Sequence, residues 1–212
     1  MVTAAVDLSG KSFTIMVWVK RERVDDIECF VAHGSVAADS ILLYFDNDNK
    51  IVWNSGDPGM YTTSVPTGAG NTGEWHHVTI RLDTDVTSGN KGSILWDGVN
   101  VDQLTNIRTG TTASGPITLG SRGSSWEPFQ GSLDEFRVYA GRALTAADIS
   151  SSYNTQVTVD SFLVLSLTFD DTSDLKLDSS CGGSSDATSS TATSTTGKLC
   201  GAASATATVC PV

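Results

Sequence analysis

GSLDEFRVYAGRAL, residues 131–144, joins a turn glycine, two adjacent carboxylates and an extended run that leads straight into a helix start. In an extended chain Ser132, Asp134, Phe136 and Val138 take one side and Leu133, Glu135, Arg137 and Tyr139 the other, so Phe136 and Val138 can face a core. The same alternation predicts that Asp134 shares their face. A carboxylate turned inward needs backbone N–H groups, an arginine or a metal ion as its partner. Past the strand, Thr145 followed three residues later by Asp148 has the spacing of a helix N-cap and predicts a short helix over 146–153.

Working outward, the remaining segments read as strands joined by turns. Phe13, Ile15, Val17 and Val19 alternate with Ser12, Thr14, Met16 and Trp18, which gives a strand with a strong core face. Residues 29–33, 41–45, 51–54, 61–65, 73–82 and 117–120 are further strands, and 93–96 and 99–102 flank Asp97-Gly98, a two-residue hairpin turn. Asp46, Asn47, Asp48 and Asn49 form a turn that is too short for the spaced ligand loop of an EF-hand. Abundant Thr, Ser, Gly and Val, with a single short helix, make the chain all-β. A length of 212 residues suits one sandwich domain.

Four motifs in this order carry a resemblance. Gly73-Glu74-Trp75-His76-His77-Val78, Trp96-Asp97-Gly98, the run from Ile117 to Arg122 and the 131–144 segment together resemble the laminin-G-like jelly roll of the concanavalin A-like superfamily, across residues 8–153. The resemblance implies a two-sheet antiparallel jelly-roll sandwich. Residues 162–170 (FLVLSLTFD), then Asp178 and the Gly197–Ala202 run, resemble the opening of such a domain, yet here they come last. The opening strand of this fold lies beside the one that carries Asp134, so 1–212 is expected to form one domain. In that reading 160–212 supplies the displaced opening strand and a Ser/Thr-rich loop, as in a circular permutation. In the alternative the tail belongs to a following repeat and donates its strand to a neighbouring molecule.

Thirteen Lys and Arg against 24 Asp and Glu leave a formal charge of −11, which argues against nucleic acid and membrane surfaces, since both need clustered cations. The most apolar run, 162–169, is interrupted by Ser166 and Thr168 and is far too short to span a bilayer, so no membrane insertion is expected. The start lacks a charged segment followed by an apolar one, as in a segment of a longer polypeptide or a chain whose secretion signal has been removed. Cys29, Cys181, Cys200 and Cys210 show no CxxC spacing, which favours disulfides and an oxidising, extracellular compartment over zinc. Three pairings are possible. Cys181–Cys200, closing the Ser/Thr-rich loop, with Cys29–Cys210 is the expected one.

Three chemistries bear on function. The resemblance implies a Ca²⁺ site at Asp134, Asp170 and Asp178, whose hard oxygens suit that ion, although an insertion at Cys181 departs from the usual loop. Glycan binding calls for exposed aromatic rings in loops, and Trp126, Tyr61 and Trp53 are the candidates, with Trp53 also placed to pack within a strand. Catalysis fares badly: glycan-hydrolysing relatives carry three carboxylates on one strand face, this chain has five Glu in all, and adjacent Asp134 and Glu135 should point apart. The expectation is therefore a secreted, non-catalytic recognition or adhesion module, stabilised by calcium, that binds extracellular polysaccharide or glycoprotein. The alternative is a structural subunit of a cell-surface or extracellular-matrix assembly that contacts copies of itself.

Overall fold

The computed structural model describes residues 1–34, 41–54, 60–61, 65–87, 91–104, 114–122, 127–154 and 160–169. Its strands in chain order are β1 (Val2–Asp7), β2 (Phe13–Arg21), β3 (Glu28–His33), β4 (Ile41–Phe45), β5 (Ile51–Asn54), β6 (Met60–Tyr61), β7 (Trp75–Leu82), β8 (Gly92–Trp96), β9 (Val99–Leu104), β10 (Ser114–Leu119), β11 (Gly131–Ala140) and β12 (Leu163–Leu167), with one helix, α1 (Ala146–Asn154), before the last. They form two six-stranded antiparallel sheets, ordered β1-β10-β3-β4-β5-β6 (sheet A) and β12-β11-β2-β7-β8-β9 (sheet B). This is the jelly-roll sandwich that the resemblance implied.

The inner faces meet in one apolar core. From β2 come Phe13, Ile15, Val17 and Val19, from β7 Val78, Ile80 and Leu82, and from β4 and β5 Ile41, Leu43, Phe45, Ile51 and Trp53. Each set keeps the period of two by which an extended strand turns alternate residues to one face. The Asp97-Gly98 turn has positive φ at both residues, 50° and 76°, as a two-residue turn matched to strand twist requires. At the helix start the Asp148 N–H donates to Thr145 Oγ1 (3.2 Å) and the Thr145 N–H to Asp148 Oδ2 (2.9 Å), closing the reciprocal cap.

Two features depart from simple alternation. β1, unannounced by its sequence, is an edge strand in which only Thr3 and Val6 are buried; a register shift between Val2 and Ala5 separates them by three residues and erases the period. The second lies in β11. Asp134 pairs with Trp18 but Arg137 with Met16, so three steps on β11 match two on β2, and Glu135 takes a left-handed φ of 50° at the bulge. Leu133 before the bulge and Phe136 after it both pack on the core. Asp134 therefore does not share the face of Phe136 and Val138; in register with Trp18, it lies on the outer face of sheet B.

That outer face is covered by α1 and the segment before it: Ile149 of the helix and Leu144 ahead of it pack on Met16, Leu95, Tyr139 and Leu163, and Tyr153 lies against Trp18 (ring centroids 4.9 Å) and His77 (5.6 Å). β12 pairs with β11 of its own chain, Leu167 opposite Phe136 and Leu165 opposite Val138. The rest of the tail, with Asp170, Asp178, Cys181, Cys200, Cys210 and the Ser/Thr-rich stretch, lies outside the described residues.

Candidate functional site

A candidate ligand surface is the outer face of sheet A. Alternation in β4 turns Leu42 and Tyr44 outward, and a register shift between Cys29 and Val31 lets both Phe30 and Val31 enter the core while Cys29 and Ala32 face out. Pairing then aligns one row across four strands: Cys29 with Tyr44, Tyr44 with Val52, and Val52 with Tyr61. Adjacent strands lie about 4.8 Å apart, so such a row is roughly 14 Å wide. Cys29, Ala32, Leu42 and Val52 are buried in its floor, whereas Tyr44 and Asn54 stay half-exposed.

A loop closes one end of the row. The Cys29 N–H donates to the Glu127 carbonyl (2.8 Å), Cys29 bridges Pro128, and the Phe129 N–H donates to Gly120 (2.9 Å). Glu127 holds a left-handed φ of 52° and its carboxylate lies 3.8 Å from the Arg122 guanidinium, whose Nε is buried without a hydrogen-bond partner. Strained backbone of this kind persists only where the surroundings hold it, and it concentrates at binding loops. Trp126, outside the described residues, directly precedes Glu127 in this loop.

The loop rests on a buried ionic network. Glu28 is fully buried and accepts from Arg21 Nε (3.0 Å) and Nη2 (2.9 Å), from Arg23 Nε (3.2 Å) and from the Gln130 N–H (3.0 Å). Arg21 also donates to Asn49 Oδ1 (3.0 Å) and to the Ala69 carbonyl (2.6 Å), and its guanidinium stacks 4.1 Å above the Phe45 ring. Asn49 in turn exchanges bonds with Asp25, at 2.6 and 2.9 Å. The Asp46–Asn49 turn is thus a structural joint: Asp46 Oδ1 accepts the Asp48 and Lys50 N–H groups (3.0 and 2.8 Å), and Asn49 reaches the arginine.

The other expected residues are distributed as follows. Trp53 is fully buried and packs edge-on against Phe13 (5.9 Å), so it is a core residue and cannot contact a surface ligand; its position in β5 puts it in phase with Ile51. Tyr61 lies in β6, at the edge of sheet A and in the same row as Tyr44. Cys29 is a buried free thiol whose Sγ lies 3.5 Å from the Val31 carbonyl, so the expected bridge to Cys210 is not seen at its described end. Burial first, and the nearby Glu127 carboxylate second, push that thiol up to about 12. Tyr44, Asn54, Arg122 and Glu127 were not anticipated. Only Tyr44 had a legible signal, as an outward position in a strand whose odd residues are all apolar.

On the outer face of sheet B, Asp134 is 2 % exposed and its Oδ1 accepts the Glu135 N–H (3.0 Å). The Glu135 carboxylate is paired to Arg137, both buried. The bulge thus overturns the expectation that Asp134 and Glu135 part cleanly to opposite faces: Glu135 reaches Arg137, which shares the Met16 side of the sheet. His77, fully buried beside Thr79 (3.3 Å), is driven down to about 3, by burial above all and then by Arg137. His76 instead meets Asp97 (2.8 Å) and stacks on Trp96 (4.4 Å). Among the described residues no three His, Cys, Asp or Glu side chains converge as a metal site.

Comparisons with known proteins bear on this geometry. A family model described as the concanavalin A-like lectin/glucanases superfamily, of laminin G type, matches residues 1–150. Among solved structures, a Bacteroides ovatus protein described provisionally as carbohydrate-binding is similar at 15% identity and a TM-score of 0.63, over 87% of this chain and 54% of its own. A heptameric SAP-like pentraxin from Limulus polyphemus is similar at 13% identity and TM-score 0.55 (74% and 76% of the two chains). The CBM40 module of Ruminococcus gnavus IT-sialidase, bound to α2,3-sialyllactose, is similar at 12% and 0.52 (71% and 94%). The chain spans about half the length of the Bacteroides protein. No curated protein matches the sequence.

Proposed function

This chain belongs to the concanavalin A-like lectin/glucanases superfamily, and from that premise we propose that it is a non-catalytic carbohydrate-recognition module acting outside the cell. Its ligand face is the outer surface of sheet A, with Tyr44 at the centre, Tyr61 at the edge strand and the Arg122–Glu127 loop, which carries Trp126, at the far end. The observation that carries the reading is the row itself, which brings a half-exposed aromatic ring to the same sheet face as a strained, anchored polar loop. Sugars are recognised by such a mixture, because their C–H faces stack on aromatic rings while their hydroxyls take hydrogen bonds from amides and charged groups. The sialyllactose-bound module has the same architecture, which supports the ligand class. The carboxylates of β11 do not favour hydrolysis, since Glu135 is engaged by Arg137 and Asp134 by the Glu135 N–H. A glycan array, followed by titration calorimetry with Tyr44→Ala and Trp126→Ala, tests the assignment. Binding that both substitutions weaken supports it; an array without a single hit overturns it.

Two further features are part of the proposal. β12 is the family's opening strand, displaced to the end of the chain, and residues 1–212 form one domain; removal of everything after residue 154 should then expose Phe136 and Val138 and abolish cooperative unfolding. Calcium would be held by Asp134 together with Asp170 and Asp178. The residues fit in kind: Asp134 is a buried carboxylate at a backbone bulge, and such a group calls for strong partners. Bound calcium, coordinated by these carboxylate oxygens, would tie the tail to β11, with no part in chemistry. A rise in melting temperature with CaCl₂, reversed by EDTA and missing in Asp134→Asn, is the expected result, and indifference to both reagents would remove calcium from the proposal.

A further inference from the structure

We infer that the ligand taken on the outer face of sheet A is a neutral glycan, one without carboxylate or sulfate groups; this rests on the carbohydrate-recognition reading and narrows it to a ligand class. Beside the row through Tyr44 runs a second, in which Thr118 pairs with Ala32, Ala32 with Leu42 and Leu42 with Asn54. The two rows together take up the outward positions of β3, β4 and β5, and none of these six described residues is charged. Charged side chains normally collect on the outward face of an antiparallel sheet. In a chain with 24 acidic and 13 basic residues their absence from this face sets its chemistry. The half-exposed polar residues are Tyr44, Asn54 and Thr118. Each carries a neutral group that both donates and accepts hydrogen bonds, as a sugar hydroxyl does.

The cations at the margin of the face already have acidic partners. Arg122 faces Glu127 at 3.8 Å, Arg23 holds Asp26 (3.0 Å) and Glu28 (3.2 Å), and Arg21 is buried on Glu28 (2.9 Å). An anionic ligand would have to displace Glu127 from Arg122 or give up water around its own charge with no counter-ion in return, and either is costly. The balance at that end of the row is negative besides. The Cys29 thiol is pushed up by burial first and by the Glu127 carboxylate second, and Arg122 opposes them with a smaller effect. A hydroxyl meets the same pair without conflict, because it can donate to Glu127 and accept from Arg122. Farther out, the formal charge of −11 repels an anionic chain as it approaches, most strongly at low salt.

The test puts the full chain on an array of matched glycan pairs that differ only in an acidic group: a galactose-terminated chain and its sialylated form, a neutral hexose polymer and its uronate counterpart, an unsulfated chain and its sulfated form. The expected result is binding to neutral members, with a signal about tenfold weaker or absent for each acidic partner. Titration calorimetry with the best neutral ligand should then give an affinity that changes by less than about twofold between low and high salt, since no charge is paired on binding. Thr118→Lys supplies a second reading, because an unpaired ammonium on this face should raise binding of the acidic members several-fold. Hits confined to acidic glycans, equal signals across each pair, or a Thr118→Lys protein no better at binding the acidic members would overturn the inference and leave the recognition module standing. An array with no hit of either kind overturns the module itself and this inference with it.

Discussion

Replacing Glu28 with Gln should be among the most damaging single-atom-scale changes in this chain. The side chain is completely buried, and its two oxygens receive four donors: Arg21 Nε and Nη2, Arg23 Nε and the Gln130 N–H. Gln keeps the shape but offers one acceptor oxygen and turns an NH₂ group towards guanidinium donors, so Arg21, itself 3 % exposed, is left as a buried charge without a counter-ion. Removing one partner of a buried pair costs about 3–5 kcal/mol, because the desolvation already spent on the other is no longer repaid. For a domain of this size 1 kcal/mol corresponds to roughly 2–4 °C, so the melting temperature should fall by about 6–20 °C. The damage should also reach the ligand face, since Gln130 and Pro128, held by Glu28 and Arg23, position the loop that carries Glu127. Calorimetry and urea unfolding measure the first effect, and titration with a glycan identified on an array measures the second. A Glu28→Gln protein within about 1 kcal/mol of the parent, below the cost of one buried unsatisfied group, would refute the reasoning that this pair is desolvated and indispensable.

Tyr44→Ala should weaken glycan binding by about tenfold, about 1.4 kcal/mol, with only a modest fall in melting temperature because the ring is half-exposed; unchanged affinity in titration calorimetry would move the ligand off sheet A. Gly131→Ala should destabilise by about 3 kcal/mol or more, read by urea unfolding, because φ is 156° and an added Cβ would stand 2.1 Å from the Lys20 carbonyl across the β2–β11 pair. His77 is held at about 3, below the usual 6.5, so the unfolded chain binds the extra proton and stability falls with acid. The loss should begin near pH 6.5, run at up to about 1.4 kcal/mol per pH unit and end near pH 3, and a His77→Gln protein should show a shallower slope over that window in pH-dependent urea melts.

The sequence by itself determined the all-β class, most of the strands, the helix cap and the hairpin at Asp97-Gly98, because each is written in neighbouring residues. The alternation of Phe13 to Val19 fixes a strand with one core face, the Thr145–Asp148 spacing fixes a helix start, and Asp-Gly suits the positive φ values of a tight turn. It also named the residues that draw attention, Asp134, Trp126 and Tyr61 among them. What it could not determine was which way Asp134 faces. The bulge at Glu135 arises from the register that β11 shares with β2, and one extra residue there carries Asp134 to the opposite face from Phe136. Trp53 became a core residue because Phe13, 40 positions earlier, packs against it, and Tyr44 became a surface residue at the centre of a row because β3, β5 and β6 align their partners beside it. Local pattern is set by the chain's own geometry, with a period of two. Exposure is set by what distant strands place on either side, and a single slip of register reverses it, so which residues reach the surface was decided only when the two sheets closed.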